Sequence, residues 1–274
     1  MSLPFEFNSK MRIEEKFKQL KKEGKKAFIA YIPFGFPKIG YTKDIILALQ
    51  ASGVDMIELG VPFSDPLADG PIIQKAASLA LEQGADIKKL FITLEGIKKS
   101  LKIPLVIMTY YNPLFKFGIE KFFTKMQAVE VSGIIVVDLP HDESRNYIEK
   151  TRKFDLETVF FITPTTSKSR QEKIVKISQG FIYYISVTGI TGPKSFTFTP
   201  LTSYVKDLKK ITELPICVGF GVHTPLQVEK IRSFSDGVIV GSGIVEFIGK
   251  HFRQKNFLNK LKTYVNFLNG REYA

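Results

Sequence analysis

The stretch Ile57-Glu-Leu-Gly-Val-Pro-Phe-Ser-Asp-Pro-Leu-Ala-Asp-Gly70 carries a carboxylate out of an apolar strand and follows it with a compact acidic loop. In an extended chain, Glu58 faces the opposite side from Ile57 and Leu59. An ionised carboxylate buried there is costly unless it has a partner, so we expect an unusual proton affinity. The pattern is typical of acid/base chemistry at the end of a strand.

Similar apolar, β-rich runs recur along the chain and alternate with longer segments of helical periodicity. This alternation predicts parallel strands joined by helical crossovers. Eight such runs, several of them almost continuously hydrophobic, favour a closed (β/α)8 TIM barrel over an open sheet in a chain of 274 residues. The predicted strands are 27–32, 55–59, 104–109, 133–139, 158–163, 181–186, 215–219 and 237–240.

The segments between these strands show the apolar spacing of amphipathic helices. Two further helices are expected outside the repeats, at residues 10–26 and 252–268. The Gly/Pro-rich segments fall at strand ends rather than in one hinge, which favours a single domain over residues 1–274. The predicted crossover helices are 39–51, 72–82, 87–101, 119–131, 143–154, 169–178, 201–212 and 225–233.

The composition limits the classes of function. The formal net charge is +12, but the lysines cluster on predicted helices, and no nucleic-acid-binding signature accompanies them. A solvated helix face explains most of this charge, with attraction of an anionic substrate as a further contribution. We therefore expect no nucleic-acid partner. The amino-terminal residues lack a signal-peptide core and no run is long enough to span a membrane, so we expect a cytoplasmic protein.

Cysteine and histidine give little support for a disulfide or a metal site. Cys217 lies in an apolar run, where burial is the expected role, and a single cysteine allows no intrachain disulfide. His141, His223 and His251 are scattered without paired ligand spacing. The sequence therefore predicts a chain without a metal.

A barrel of this kind gathers its active site at the carboxyl ends of the strands. Glycine-rich turns follow the sixth, seventh and eighth predicted strands, at Gly192, at Gly219-Phe-Gly221 and at Gly241-Ser-Gly243. Glycines let backbone N–H groups approach a ligand, and a helix starting near residue 244 favours a phosphate. Each turn alone is commonly just a turn; together they predict a phosphate site.

The string from Glu58 through the Pro62-Phe-Ser-Asp-Pro66 and Leu67-Ala-Asp-Gly70 segments resembles the signature of the tryptophan synthase alpha subunit family without a gap. The resemblance extends over essentially the whole chain. It implies a TIM barrel and retro-aldol cleavage of indole-3-glycerol phosphate to indole and glyceraldehyde 3-phosphate. It also implies a pyridoxal-phosphate beta subunit as partner in an α2β2 assembly, so that this chain itself holds no cofactor.

The resemblance assigns acid/base work at the substrate carbon and hydroxyl to Glu58. It assigns Asp69 to the indole N–H and Tyr183 to a position near the glutamate. We expect a raised pKa for Glu58 in its apolar strand and an ionised Asp69 in a looser polar loop. The alternatives from the residues alone are a buried ion pair for Glu58, an Asp-Gly turn for Asp69 and core packing for Tyr183. For Asp65, turn formation or a helix cap is the preferred interpretation.

The remaining site residues also follow from the resemblance. Asp138, at the end of the fourth strand, is implied in communication with the partner, with a strand-end cap as the alternative. Thr191 matches a loop threonine of the family, although Val187 stands where some members have an arginine. The substrate phosphate is assigned to Gly192, Gly221, Gly241 and Ser242. An apolar pocket for the indole ring is expected from Tyr31, Met108 and Phe220, any of which could equally be core.

Two other functions remain open on the sequence. One is a different phosphate-binding barrel enzyme that shares the glycine turns but not the Glu58/Asp69 pair. The other is a weakly catalytic subunit that docks on a beta subunit and activates it. An intact carboxylate pair indicates chemical competence, but it does not show whether the loops close productively without a partner. The docking face is expected around the second loop, Asp138 and residues 112–115.

Overall fold

The computed structural model describes residues 11–185, 198–219 and 221–271. Within these residues, parallel strands form one nearly closed barrel in the order β5-β4-β3-β2-β1-β9-β8-β7-β6. The strands are β1 (Ala27–Pro33), β2 (Met56–Gly60), β3 (Leu105–Thr109), β4 (Gly133–Val136), β5 (Glu157–Thr158), β6 (Phe160–Ile162), β7 (Ile182–Ile185), β8 (Ile216–Gly219) and β9 (Gly237–Val240).

One continuous segment of the chain contains both β5 and β6, and it closes the barrel by pairing with a different strand at each end. β5 pairs with β4 and β6 pairs with β7, and only Val159 separates the two short strands. The Val159 N–H donates to the Ile134 carbonyl at 3.2 Å, and the Thr158 carbonyl accepts from the Gln179 N–H at 2.7 Å. The predicted fifth strand, 158–163, is therefore real but changes neighbours halfway. The predicted (β/α)8 barrel is confirmed.

Helices surround the strands on the outside. The helices of the described residues are α1 (Ile13–Lys22), α2 (Thr42–Ala51), α3 (Pro71–Glu82), α4 (Ile87–Glu95), α5 (Tyr111–Phe117), α6 (Ile119–Ala128), α7 (Arg145–Lys153), α8 (Lys168–Ile177), α9 (Phe198–Leu208), α10 (Pro225–Arg232), α11 (Ser242–His251) and α12 (Phe257–Leu268). None of the helices in the described ranges is long and apolar enough to cross a bilayer.

Several boundaries differ from the sequence prediction. The helix expected over 87–101 ends at Glu95; Gly96 is its C-cap residue, and a turn follows. α5 was not predicted, since Pro113 argues against a helix; at the third position of α5 its missing N–H costs nothing. The strand expected over 133–139 ends at Val136. α11 begins at Ser242, directly after β9 and before the residue 244 suggested by the sequence.

Successive side chains along each strand point to opposite faces of the sheet, and this divides the hydrophobic core into two clusters. One cluster lies between the sheet and the outer helices. The other fills the barrel and includes Ile29, Val106 and Ile135 together with Phe17 of α1, so α1 covers the amino-terminal end of the strands. Burying this end leaves the carboxyl ends of the strands as the open face of the barrel.

Candidate active site

A cavity of about 270 Å³ opens at the carboxyl ends of the strands. Most of the described residues assigned to substrate or catalysis line it, and they come from six different loops or strands. These are Tyr31, Asp69, Met108, Tyr183, Gly221, Gly241 and Ser242. The lining is mainly apolar with a few convergent polar groups, as in most small-molecule sites.

Glu58 lies on β2 and does not line this cavity. The residue is 0% exposed, and neither of its carboxyl oxygens has a hydrogen-bond partner among the described residues. Burial therefore raises the pKa of Glu58 to about 8, as its place in an apolar strand predicts. The buried ion pair considered as an alternative is absent from the described residues. At neutral pH this carboxyl is mainly protonated and can donate a proton.

Two tyrosines of the cavity wall lie close to Glu58. Tyr31 is the register partner of Glu58 across β1 and β2, and Tyr183 comes from β7. Burial raises the pKa of Tyr183, and the charge of Glu58 raises it further. Both phenols are therefore neutral, and each can donate or accept a hydrogen bond toward the cavity.

Glycines make room for these two rings. A Cβ built on Gly60 would lie 2.3 Å from the Tyr31 hydroxyl oxygen, and one built on Gly219 would lie 2.7 Å from the Tyr183 hydroxyl oxygen. Real Cβ atoms are essentially never that close to another heavy atom. The glycines at the ends of β2 and β8 therefore fix where the tyrosine hydroxyls stand, in addition to any effect on loop conformation.

Asp69 lies on the cavity wall in the loop before α3. Its Oδ2 accepts a hydrogen bond from the Tyr110 hydroxyl at 3.1 Å, and the same hydroxyl oxygen accepts from the Ala68 N–H at 3.1 Å. Burial raises the pKa of Asp69 to about 6, while the Tyr110 hydrogen bond lowers it. Asp69 itself is half-buried and held by Tyr110, whereas Asp65 and Leu67 of the same loop are exposed. At pH 7 the carboxylate is nonetheless mainly ionised.

The cavity ends at the first turn of α11. Gly241 is the N-cap residue of this helix and Ser242 is its first residue, so their N–H groups and the positive end of the helix dipole face a ligand of opposite charge. Gly221, after β8, lines the same region. Gly192, Thr191 and Phe220 lie outside the described residues, as does Val187.

Asp138 is exposed and lies beyond β4, outside the cavity. Its Oδ1 accepts a hydrogen bond from the Tyr111 N–H at 2.6 Å, which joins the end of β4 to the start of α5. This bond gives Asp138 the capping role considered from the sequence, although it caps a helix rather than a strand. The side chain therefore couples the β4 loop to α5.

Several residues around the cavity were not predicted from the sequence. Tyr110 follows β3, and its only signal is a polar aromatic at a strand end. His223 was set aside as one of three scattered histidines, yet it lines the cavity beside Gly221. Phe161 belongs to β6 and lines the cavity together with Met108. No group of three or more His, Cys, Asp or Glu side chains in the described ranges is placed to hold a metal.

The comparisons with known proteins agree on one family. The family model described as "Tryptophan synthase alpha chain" matches residues 17–271. A protein of that name from Thermoanaerobacter sp. (strain X514) is 42% identical over 257 residues, covering 94% of this chain and 98% of its own.

Solved structures give the same result. Tryptophan synthase subunit alpha from Legionella pneumophila superposes with a TM-score of 0.89 at 30% identity, covering 95% of this chain and 97% of that one. A Mycobacterium tuberculosis tryptophan synthase chain superposes at 0.86 and 31% identity, covering 95% and 97%.

Proposed function

Because the chain belongs to the tryptophan synthase alpha chain family, we propose how the residues of its cavity cleave indole-3-glycerol phosphate to indole and glyceraldehyde 3-phosphate. The reaction breaks the bond between indole C3 and the first side-chain carbon. A proton must reach C3, and the hydroxyl on that side-chain carbon must lose its proton as it becomes the aldehyde. The observation that carries the proposal is the buried, unpartnered carboxyl of Glu58 behind the cavity.

Glu58 is assigned the proton transfers. With a pKa near 8 it is mainly protonated at pH 7 and can deliver a proton to C3. The resulting carboxylate can then take the hydroxyl proton, which restores the acid for the next turnover. Because Glu58 does not line the cavity, its side chain has to turn toward the substrate for either transfer. Tyr183 and Tyr31, which stand beside it, supply hydroxyls that can hold the turned carboxyl.

Asp69 is assigned the indole nitrogen. As C3 gains a proton, the ring becomes an indolenine and its N–H becomes more acidic, so a carboxylate that accepts this hydrogen stabilises the developing positive charge. The pKa of about 6 leaves Asp69 mainly ionised at pH 7. Tyr110 holds the Oδ2 atom in place at 3.1 Å. The two carboxyls therefore take opposite protonation states, with Asp69 on the cavity wall and Glu58 outside it.

The other residues of the cavity suit the indole ring and the phosphate of the substrate. Met108 and Phe161 supply apolar surface for the indole ring, and the start of α11 with Gly221 and Ser242 supplies the phosphate end. We infer that Gly192, Thr191 and Phe220 complete this site. The pyridoxal phosphate of the assembly is assigned to the beta subunit, and the whole chain is inferred to act as one cytoplasmic barrel domain.

A tryptophan synthase beta subunit is the proposed partner, in an α2β2 assembly. Leu67 in the loop before α3 is 91% exposed and Phe115 on α5 is 63% exposed, so two large apolar side chains face solvent close to the open end of the barrel. Asp138 hydrogen-bonds the first residue of α5. A partner docked on α5 would therefore be linked through Asp138 to the end of β4, beside the cavity.

The test is release of glyceraldehyde 3-phosphate from indole-3-glycerol phosphate, with and without an added beta subunit. Glu58→Gln keeps the shape and removes the proton transfer, so cleavage should fall by a factor of about 100 or more. Glu229→Gln, an exposed carboxylate on α10 outside the cavity, is the matched control and should retain activity. Stimulation of the beta subunit without any cleavage would instead make this chain an activating subunit and refute the role of Glu58.

A further inference from the structure

The cavity has to bind a phosphate dianion, yet its described wall contains no lysine and no arginine. Its described carboxylate, Asp69, repels a phosphate, and Glu58 lies just behind the wall. Helix N–H groups lower this cost, but a dipole supplies only about half a charge. Among the described lining residues, His223 is the side chain that can carry a full positive charge.

His223 stands at the phosphate end of the cavity. It follows Gly221 by two residues, and its Cα lies 3.4 Å from the position a Cβ on Gly243 would take in the first turn of α11. The hydrogen bond from Lys250 chiefly lowers the pKa of Glu246, one turn further along α11, and His223 lies near enough to add to that shift. The histidine therefore lies against the turn whose N–H groups face the ligand.

The imidazole ring of His223 is free to bind a ligand, because it has no hydrogen-bond or ion-pair partner among the described residues. Glu246 is paired with Lys250 at 2.6 Å, and no hydrogen bond or ion pair of the His223 side chain occurs among the described residues. The backbone, in contrast, is fixed: the Gln227 Oε1 atom accepts from the His223 N–H at 2.8 Å and from the Thr224 N–H at 3.1 Å. This capping box of α10 holds the residue in place while its imidazole remains uncommitted.

We propose that His223 is a binding residue for the substrate phosphate, donating an imidazole N–H to a phosphate oxygen at the glycine-rich phosphate end. This inference rests on the proposed function, since it names a further residue for the same substrate. It predicts that His223 selects for the phosphorylated substrate over the same indole-glycerol without phosphate. A charge-assisted hydrogen bond is stronger than a neutral one, so His223 contributes to binding rather than to proton transfer at C3.

The experiment compares wild type, His223→Ala and His223→Lys on indole-3-glycerol phosphate and on unphosphorylated indole-glycerol. We expect His223→Ala to raise KM for the phosphorylated substrate about tenfold and to leave kcat within about twofold. The inhibition constant of glycerol 3-phosphate should rise by the same factor. kcat/KM for indole-glycerol should not change. His223→Lys, which restores an N–H donor, should recover most of the loss.

The control is Leu226→Ala, a change to a 74% exposed side chain on α10 outside the cavity, which should leave all constants unaltered. Equal losses on both substrates would assign His223 a structural role and overturn the proposal, as would no loss on either. If the wild type fails to cleave indole-3-glycerol phosphate, the proposed function is refuted. Calorimetric binding of glycerol 3-phosphate then decides the role of His223 alone: equal affinity of wild type and His223→Ala would refute it.

Discussion

Replacing Glu58 by glutamine should make the fold more stable, and the gain should depend on pH. Burial raises the pKa of Glu58 from its ordinary 4.5 to about 8. Between those two pH values the folded chain holds a proton that the unfolded chain has lost, so stability falls as pH rises through this window and is level outside it. At about 1.36 kcal/mol per pKa unit, ionising the buried carboxyl costs about 5 kcal/mol above pH 8. Glutamine carries no such cost.

The assay is denaturant unfolding of wild type and Glu58→Gln at pH 5, 7 and 9. The difference in unfolding free energy should grow in favour of the variant by about 4 kcal/mol from pH 5 to pH 9. Glu229→Gln, an exposed carboxylate on α10, is the matched control and should show no such trend. Parallel stability curves for wild type and Glu58→Gln would refute the reasoning, because they would mean that the carboxyl has solvent or a partner that balances its charge.

Three further changes test other parts of the site. Tyr110→Phe removes the hydrogen bond that lowers the pKa of Asp69, so the acidic limb of the pH–rate profile should move to higher pH and kcat/KM should fall about tenfold; an unmoved limb would contradict this role. Gly219→Ala puts a Cβ 2.7 Å from the Tyr183 hydroxyl and should reduce cleavage strongly while the chain stays folded by circular dichroism. Phe115→Asp should weaken beta-subunit binding in calorimetry by at least about tenfold with little effect on the isolated chain, and unchanged affinity would move the docking face elsewhere.

The sequence predicted the strands well because each is a short apolar run buried on both sides, which is the strongest signal a parallel sheet has. The split of the fifth strand was not predictable, since it depends on which neighbours β5 and β6 find when the barrel closes. α5 was missed for a local reason: Pro113 usually argues against a helix, and only its place in the first turn allows one.

The site was predicted unevenly. Glu58 and Asp69 were found because their motif is long and unusual, and the apolar neighbours of Glu58 already imply a raised pKa. Tyr110 and His223 were missed because their roles depend on contacts made across the fold. Tyr110 meets Asp69 over a separation of 41 residues, and His223 meets the first turn of α11 only when β8 and β9 lie side by side.

The buried carboxyl of Glu58 calls for a functional explanation, because it lowers the stability of the barrel. At pH 7 its burial costs about 3 kcal/mol relative to a neutral isostere, on a scale where whole domains are stable by about 5–15 kcal/mol. Within the described part of the chain no hydrogen bond offsets this cost, since both carboxyl oxygens are without partners there. A purely structural residue at this position would be apolar, like Met56 one layer below it in the barrel. An unpaired acid that destabilises the fold it sits in is therefore best explained by the proton it holds beside the cavity.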